Sequence, residues 1–136
     1  MAENDDWIVF DTADRSPENW LSLGDQVPLR GAVLEGDYGA GFMHWVRNDN
    51  KSEKPHALKC GIHRTDVDTA IHVDGSSGHE FTCIIEGTLT VELDDGRTFV
   101  LEPGMTAHFK PGHPGTYRYK APFRQFVVVA YGQDTP

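Results

Sequence analysis

The sequence predicts a single all-β domain, a sandwich or barrel of short antiparallel strands. Short apolar runs recur at roughly 8–12-residue spacing along the second half of the chain. Glycine, Asx and Pro-Gly clusters punctuate them, at Gly36-Asp37, Asp74-Gly75, Asp94-Asp95-Gly96, Glu102-Pro103-Gly104 and Pro111-Gly112. No segment carries the periodicity of a long amphipathic helix. At 136 residues the chain fits one domain with a real hydrophobic core.

Residues 1–30 alternate short apolar pieces with polar turns and form an N-terminal extension packing on the barrel. Ser16 and Pro17 suit the cap and first position of one short helical turn. The barrel domain occupies residues 31–136. Its first half reads as strands over Ala32–Glu35, Gly41–Val46, Ala57–His63 and Asp68–Val73. The second half is more regular. Glu80–Glu86 is a strand, and Gly87 lets the chain bend. Leu89, Val91 and Leu93 alternate with Thr88, Thr90 and Glu92, the period-two pattern of a half-buried strand. Asp94-Asp95-Gly96 supplies the positive φ of a hairpin turn. Arg97–Leu101 and Met105–Lys110 follow, then a short strand over Thr116–Tyr119 and a last one over Phe123–Tyr131.

The formal net charge is −9, with lysine and arginine scattered rather than striped. Such a chain repels phosphate backbones, so nucleic acid is not an expected partner. The opening MAENDD lacks the basic and apolar regions of a signal peptide. No run approaches the roughly 18–20 apolar residues that span a bilayer. A cytoplasmic protein with no membrane partner is the expectation. Cys60 and Cys83 lie far apart and outside any CxxC pattern, so both are expected as small core residues.

Glu80, six residues, Gly87, a DG hairpin, the Pro103-Gly104 turn and the Pro111-Gly112 corner stand in an order and spacing that resembles the cupins. Cupins are small double-stranded β-helix (jelly-roll) barrels of the RmlC-like type. The wider pattern, from Gly61-Ile62-His63-Arg64-Thr65 to Phe126-Val127-Val128-Val129, is similar to the branch of ethanolamine-utilisation protein Q and the ureidoglycine aminohydrolases. The GxxGxW corner of that branch reads Gly112-His113-Pro114-Gly115-Thr116-Tyr117 here, with Tyr117 in the tryptophan's place. The opening GIW reads GIH, with His63 in the aromatic's place.

The resemblance implies a metal centre that this chain only partly supplies. The HxH of the first cupin motif falls within Val73 to Ser76, where no histidine stands. The histidine of the second motif falls on Gly115. Of the four usual ligands only Glu80 is in register. His72 lies eight residues before Glu80 and becomes a ligand if the intervening loop is long. A third ligand would come from His63, His44, His108 or His113. With Glu80 and His72 as partial ligands, a divalent Mn, Fe, Ni or Zn ion is one expectation.

Alternation sets the remaining candidates. Glu80, Thr82 and Ile84 share one strand face, which the resemblance turns into the barrel. Gly115, Tyr117 and Tyr119 share another face, which the resemblance also turns inward because it places a ligand position at Gly115. His79 and His108 have the opposite parity and face outward, and His56 lies in a polar loop. Glu80 and Tyr117 are therefore the candidate catalytic pair. His72, Thr82, Tyr119 and His113 are the candidate ligand-binding residues.

Three functions remain open. One is a small-molecule-binding cupin centred on Glu80, whose chemistry, if any, is metal-free acid–base catalysis such as isomerisation or elimination. Another is a metal-dependent enzyme of aminohydrolase type. The third is a non-catalytic sensor or accessory protein. The resemblance also implies a homodimer, with the apolar pieces around Trp7 and Trp20 covering an edge strand.

Overall fold

Two long strands shared by two sheets organise the molecule. A computed structural model describes residues 11, 20–26, 31–50, 53–75 and 78–132. Its elements are β1 (Leu21–Ser22), α1 (Leu23–Gln26), β2 (Gly31–Glu35), β3 (Gly41–Asn48), β4 (Leu58–Thr65), β5 (Thr69–Val73), β6 (His79–Leu93), β7 (Thr98–Leu101), β8 (Thr106–Phe109) and β9 (Gly115–Ala130). A 3-10 turn, Tyr38–Ala40, leads into β3 and is capped by Asp37, whose carboxylate accepts from the Gly39 N–H. Among the described residues no helix is long and apolar enough to cross a membrane.

Strand β6 pairs antiparallel with β9 along nearly its whole length, Leu93 opposite Gly115 at one end and His79 opposite Ala130 at the other. The first half of β9 pairs on its far side with β5, and the second half with β4. One sheet is therefore β3-β4-β9-β6-β8 and the other β2-β5-β9-β6-β7. The register slips at Glu86 and again before Thr88, where the ribbon folds from one sheet into the next. Gly87 makes that fold possible. Its φ is +80°, and a Cβ there would lie 2.5 Å from the Pro122 carbonyl oxygen, so only glycine fits.

The sequence reading divides β6 at Gly87 and β9 between Tyr119 and Phe123, but both run on. Continuous pairing to neighbours on both sides holds the backbone extended through each bend. β7 begins one residue later than expected, and β8 is one residue shorter at each end.

The alternating residues Ile84, Leu89, Val91, Leu101 and Phe123 form a buried core, with Leu93, Ala107, Phe109, Tyr117 and Tyr119 packed against it. Phe123, Leu89 and Val91 are wholly buried. The two cysteines are free and half-buried rather than in this core. Each lies on the outward parity of its strand, beside inward Gly61 and Thr82.

Of the N-terminal extension, the described part packs on the barrel. β1 adds to the edge of β3, with Leu21 opposite Met43. Trp20 is buried edge-on against His44, ring centroids 5.5 Å apart. The Arg64 and Arg124 guanidinium groups lie over its ring, at 4.6 and 5.6 Å. Cation–π contact of this kind suits a buried arginine, since it partly replaces lost hydration. The expected Ser16-Pro17 turn and the Trp7 piece lie outside the described residues.

Candidate functional site

Register carries Glu80, Tyr117 and Tyr119 to one interior. Glu80, the second residue of β6, lies between Val129 of β9 and Phe109 of β8. Tyr117 sits between Val91 and Ile71, and Tyr119 between Leu89 and Thr69. Every one of these cross-strand partners has inward parity. The aromatic rings meet edge to face, Phe109 with Tyr117 at 5.7 Å and Tyr119 with Phe123 at 5.0 Å. The His63 ring completes the wall, 5.1 Å from Tyr119.

The Glu80 carboxyl is the electrostatic centre. Burial raises its pKa from 4.5 to about 7, because the charged form loses hydration. Among the described residues no group donates a hydrogen bond that would hold it ionised. Burial raises the pKa of the Tyr117 and Tyr119 phenols, and the negative charge of Glu80 raises them further. Tyr38, from the turn before β3, contributes to the Tyr119 shift and so lies near it. All three phenols therefore stay protonated at neutral pH and act as hydrogen-bond donors.

Beside this centre runs a buried polar chain. The Thr82 hydroxyl donates to Gln125 Oε1 at 2.5 Å. Gln125 Nε2 donates to His63 Nδ1 at 2.9 Å. His63 Nε2 then lies 3.2 Å from the Thr65 hydroxyl. Since Nδ1 accepts, the ring proton is on Nε2, and the network assigns the tautomer. Burial lowers the His63 pKa to about 4, so this imidazole is neutral. Thr82, His63, Thr65 and Gln125 are all less than a tenth exposed, and each finds its partner within the chain. Gln125→Leu is expected to cost about 1–2 kcal/mol, because Thr82 and His63 lose their partner in a dry environment. Urea denaturation at neutral pH measures it; an unchanged midpoint would show that water replaces the amide.

The structure brings Glu80, Thr82, Tyr117 and Tyr119 to one interior, as strand alternation predicts. It does not bring His72 there. Ile71 is the residue opposite Tyr117, so His72 turns to the outer face. There its Nε2 meets both carboxylate oxygens of Asp94 at 3.0 Å. His113 is exposed at the Pro-Gly corner and lies near Asp95. Neither histidine is brought to Glu80.

A divalent ion on the expected ligand set does not fit these residues. The position where the second motif would place histidine is Gly115, and a Cβ there would fall 2.9 Å from the Glu92 carbonyl oxygen and 3.1 Å from Leu93 Cα. Backbone packing thus requires glycine at this point. Both nitrogens of His63 are occupied by hydrogen bonds, and among the described residues no three His, Cys, Asp or Glu side chains gather to hold an ion.

Sequence reasoning missed Gln125 and Tyr38, and weighed His63 only as a metal ligand. Gln125 joins the site through partners 43 and 62 residues away, and no local motif marks it. Its inward parity with Phe123 and Val127 was the available signal.

No family model matches the chain, and no curated protein does. Solved structures do. A cupin superfamily protein from Desulfitobacterium hafniense is 9% identical over 72% of this chain and 84% of its own, with a TM-score of 0.56. The EutQ protein of Clostridium difficile is 20% identical over 88% and 81%, with a TM-score of 0.50. FeII HppE is 14% identical over 79% of this chain but 61% of its own length, with a TM-score of 0.55. At these identities the likeness is one of fold, and the fold is that of the cupins.

Proposed function

We propose that this cupin-fold chain binds a small metabolite in the interior between Glu80, Tyr117 and Tyr119, and acts on it by acid–base chemistry without a metal. The observation that carries the reading is a half-buried, inward-facing carboxyl, free of hydrogen-bond donors among the described residues, whose loss of hydration raises its pKa to about 7 and leaves it half protonated at neutral pH. Such a group both takes and returns a proton, the property a general acid–base catalyst needs.

The surroundings define the ligand class. The phenols of Tyr117 and Tyr119 present O–H donors to an oxygen that gains negative charge. Phe109, Phe123 and the tyrosine rings provide flat apolar walls. The fit is a small, largely uncharged molecule carrying a carbonyl or hydroxyl oxygen. In an α-hydroxycarbonyl compound Glu80 would remove the proton from the hydroxyl-bearing carbon, the tyrosines would stabilise the enediolate oxygens as the hydroxyl proton passes to the former carbonyl oxygen, and Glu80 would return its proton to the former carbonyl carbon. That is an isomerisation. If a leaving group departs instead, it is an elimination. Pairing of two copies through the outer sheet face is part of the same proposal, supported by the exposed Phe81 and Ile85 on β6.

A thermal-shift screen of small carbonyl and hydroxy compounds tests the site. A compound that stabilises the native chain but neither Glu80→Gln nor Tyr117→Phe supports the reading. A compound that stabilises all three equally places its binding elsewhere. Turnover of a bound compound, followed by exchange of its carbon-bound hydrogen with deuterium in the solvent, separates catalysis from binding alone.

A further inference from the structure

The barrel interior holds a cation that the chemistry above does not use. Lys59 of β4 lies opposite Val129 of β9, and Val129 lies opposite Glu80 of β6. Asn48 of β3 and Phe109 of β8 extend the same cross-strand row on either side. Residues directly opposite one another project from the same sheet face, so Lys59 and Glu80 point into one interior. The row stands at or next to the ends of all these strands, which places it at the barrel mouth. Arg64 and Arg124 have the other parity and turn outward onto Trp20. Among the described residues Lys59 is the one lysine or arginine on a strand with inward parity.

The Lys59 ammonium has no carboxylate partner among the described residues. It lies instead over the ring of Trp45, 5.8 Å from the centroid. Trp45 also faces inward, opposite Gly61. Lysine ordinarily carries its charge out to bulk water, whereas cation–π attraction at this distance keeps it against the wall. Burial alone raises the Glu80 carboxyl, with no contribution from Lys59, so the two charges do not pair. Two inter-strand spacings separate their backbones, about 10 Å. That gap suits an extended molecule whose uncharged carbonyl end sits at Glu80 and the tyrosines while an anionic end meets the ammonium. A lone ammonium is a point charge without the fork that favours phosphate, so a carboxylate is the better match.

We propose that Lys59, steadied by Trp45, binds the carboxylate of an oxo- or hydroxycarboxylic acid whose carbonyl end reaches Glu80 and Tyr117. This specificity rests on the interior reading and adds to it the charge and the direction of the ligand.

Calorimetric titration of the full chain with 4-oxopentanoate, 5-oxohexanoate and 6-oxoheptanoate, each beside its methyl ester, tests it. At least one acid should bind the native chain roughly ten- to a hundredfold more tightly than its ester, the size of one charge-assisted hydrogen bond. Added salt should shrink that preference. Lys59→Met, which keeps an apolar stem against Trp45, should bring the acid down to its ester's affinity and leave the ester unchanged. Lys59→Arg, which restores the charge, should keep the preference. Circular dichroism confirms that each variant is folded. Esters that bind as tightly as their acids, with both lost in Glu80→Gln, would overturn the role of Lys59 and leave the interior reading standing. An acid preference that survives in folded Lys59→Met would do the same. Absence of binding by every acid and ester, or binding that Glu80→Gln leaves intact, would overturn both.

Discussion

Phe123→Ala is expected to destabilise the fold by about 3–5 kcal/mol, the usual cost of removing a buried phenylalanine. Phe123 is wholly buried at the point where β9 leaves the bend opposite Gly87. It packs with the Ile84, Leu89, Val91 and Leu101 core on one side. On the other its ring meets Tyr119 at 5.0 Å and His63 at 5.8 Å. Alanine would lose the apolar transfer energy and leave a cavity that the paired strands resist closing. For a chain of this size the loss lowers the melting temperature by on the order of 10 °C. Calorimetry at neutral pH checks it. A loss below about 1 kcal/mol would mean that the ring does not belong to the common core. The same residue should matter for function, since it buttresses the Tyr119 ring on which the proposed ligand rests. Phe123→Leu, which keeps most of the volume, should therefore retain more stability than ligand affinity.

That dual role explains which parts of the molecule were legible in the sequence. Alternation along β6 places Glu80 and Thr82 inward, and alternation along β9 does the same for Tyr117 and Tyr119. Both inferences need only the parity of one strand and a glycine turn to fix its end. The Gly87 bend and the Gly115 position are also readable, because a backbone constraint leaves a residue type behind. His72 fails for a different reason. Its direction depends on which residue of β5 faces Tyr117, and that register is set by pairing across more than forty positions of chain. The Thr82–Gln125–His63–Thr65 chain fails likewise: each member is an ordinary polar residue until three strands lie side by side. Turn chemistry and parity are local, whereas polar satisfaction in the interior is a property of the assembled sheets.

Glu80→Gln is expected to stabilise the protein at alkaline pH by about 2–3 kcal/mol and to leave it nearly unchanged at acid pH. The sign follows from burial. Unfolded, this carboxyl titrates near 4.5; folded, it titrates near 7. Below 4.5 both states hold the proton and the group contributes nothing to the difference. Between those values the folded chain keeps a proton that the unfolded chain has lost, so stability declines as pH rises, and the full penalty is present above about pH 7. His63 has the opposite sign. Its folded value is about 4 against 6.5 unfolded, so its contribution is fully present above 6.5 and is lost as pH falls toward 4. In the native chain the two slopes oppose one another where their windows overlap. Removing Glu80 should therefore do more than raise stability at about pH 8: it should uncover a stability that climbs with pH through the His63 window. Urea denaturation across the range from about pH 4 to 8 measures both effects. A Glu80→Gln protein less stable than the native chain at alkaline pH would mean that the carboxylate is held by a positive or donating partner. The proposed proton-transfer role would then lose its basis, because a carboxyl so held would titrate well below neutrality.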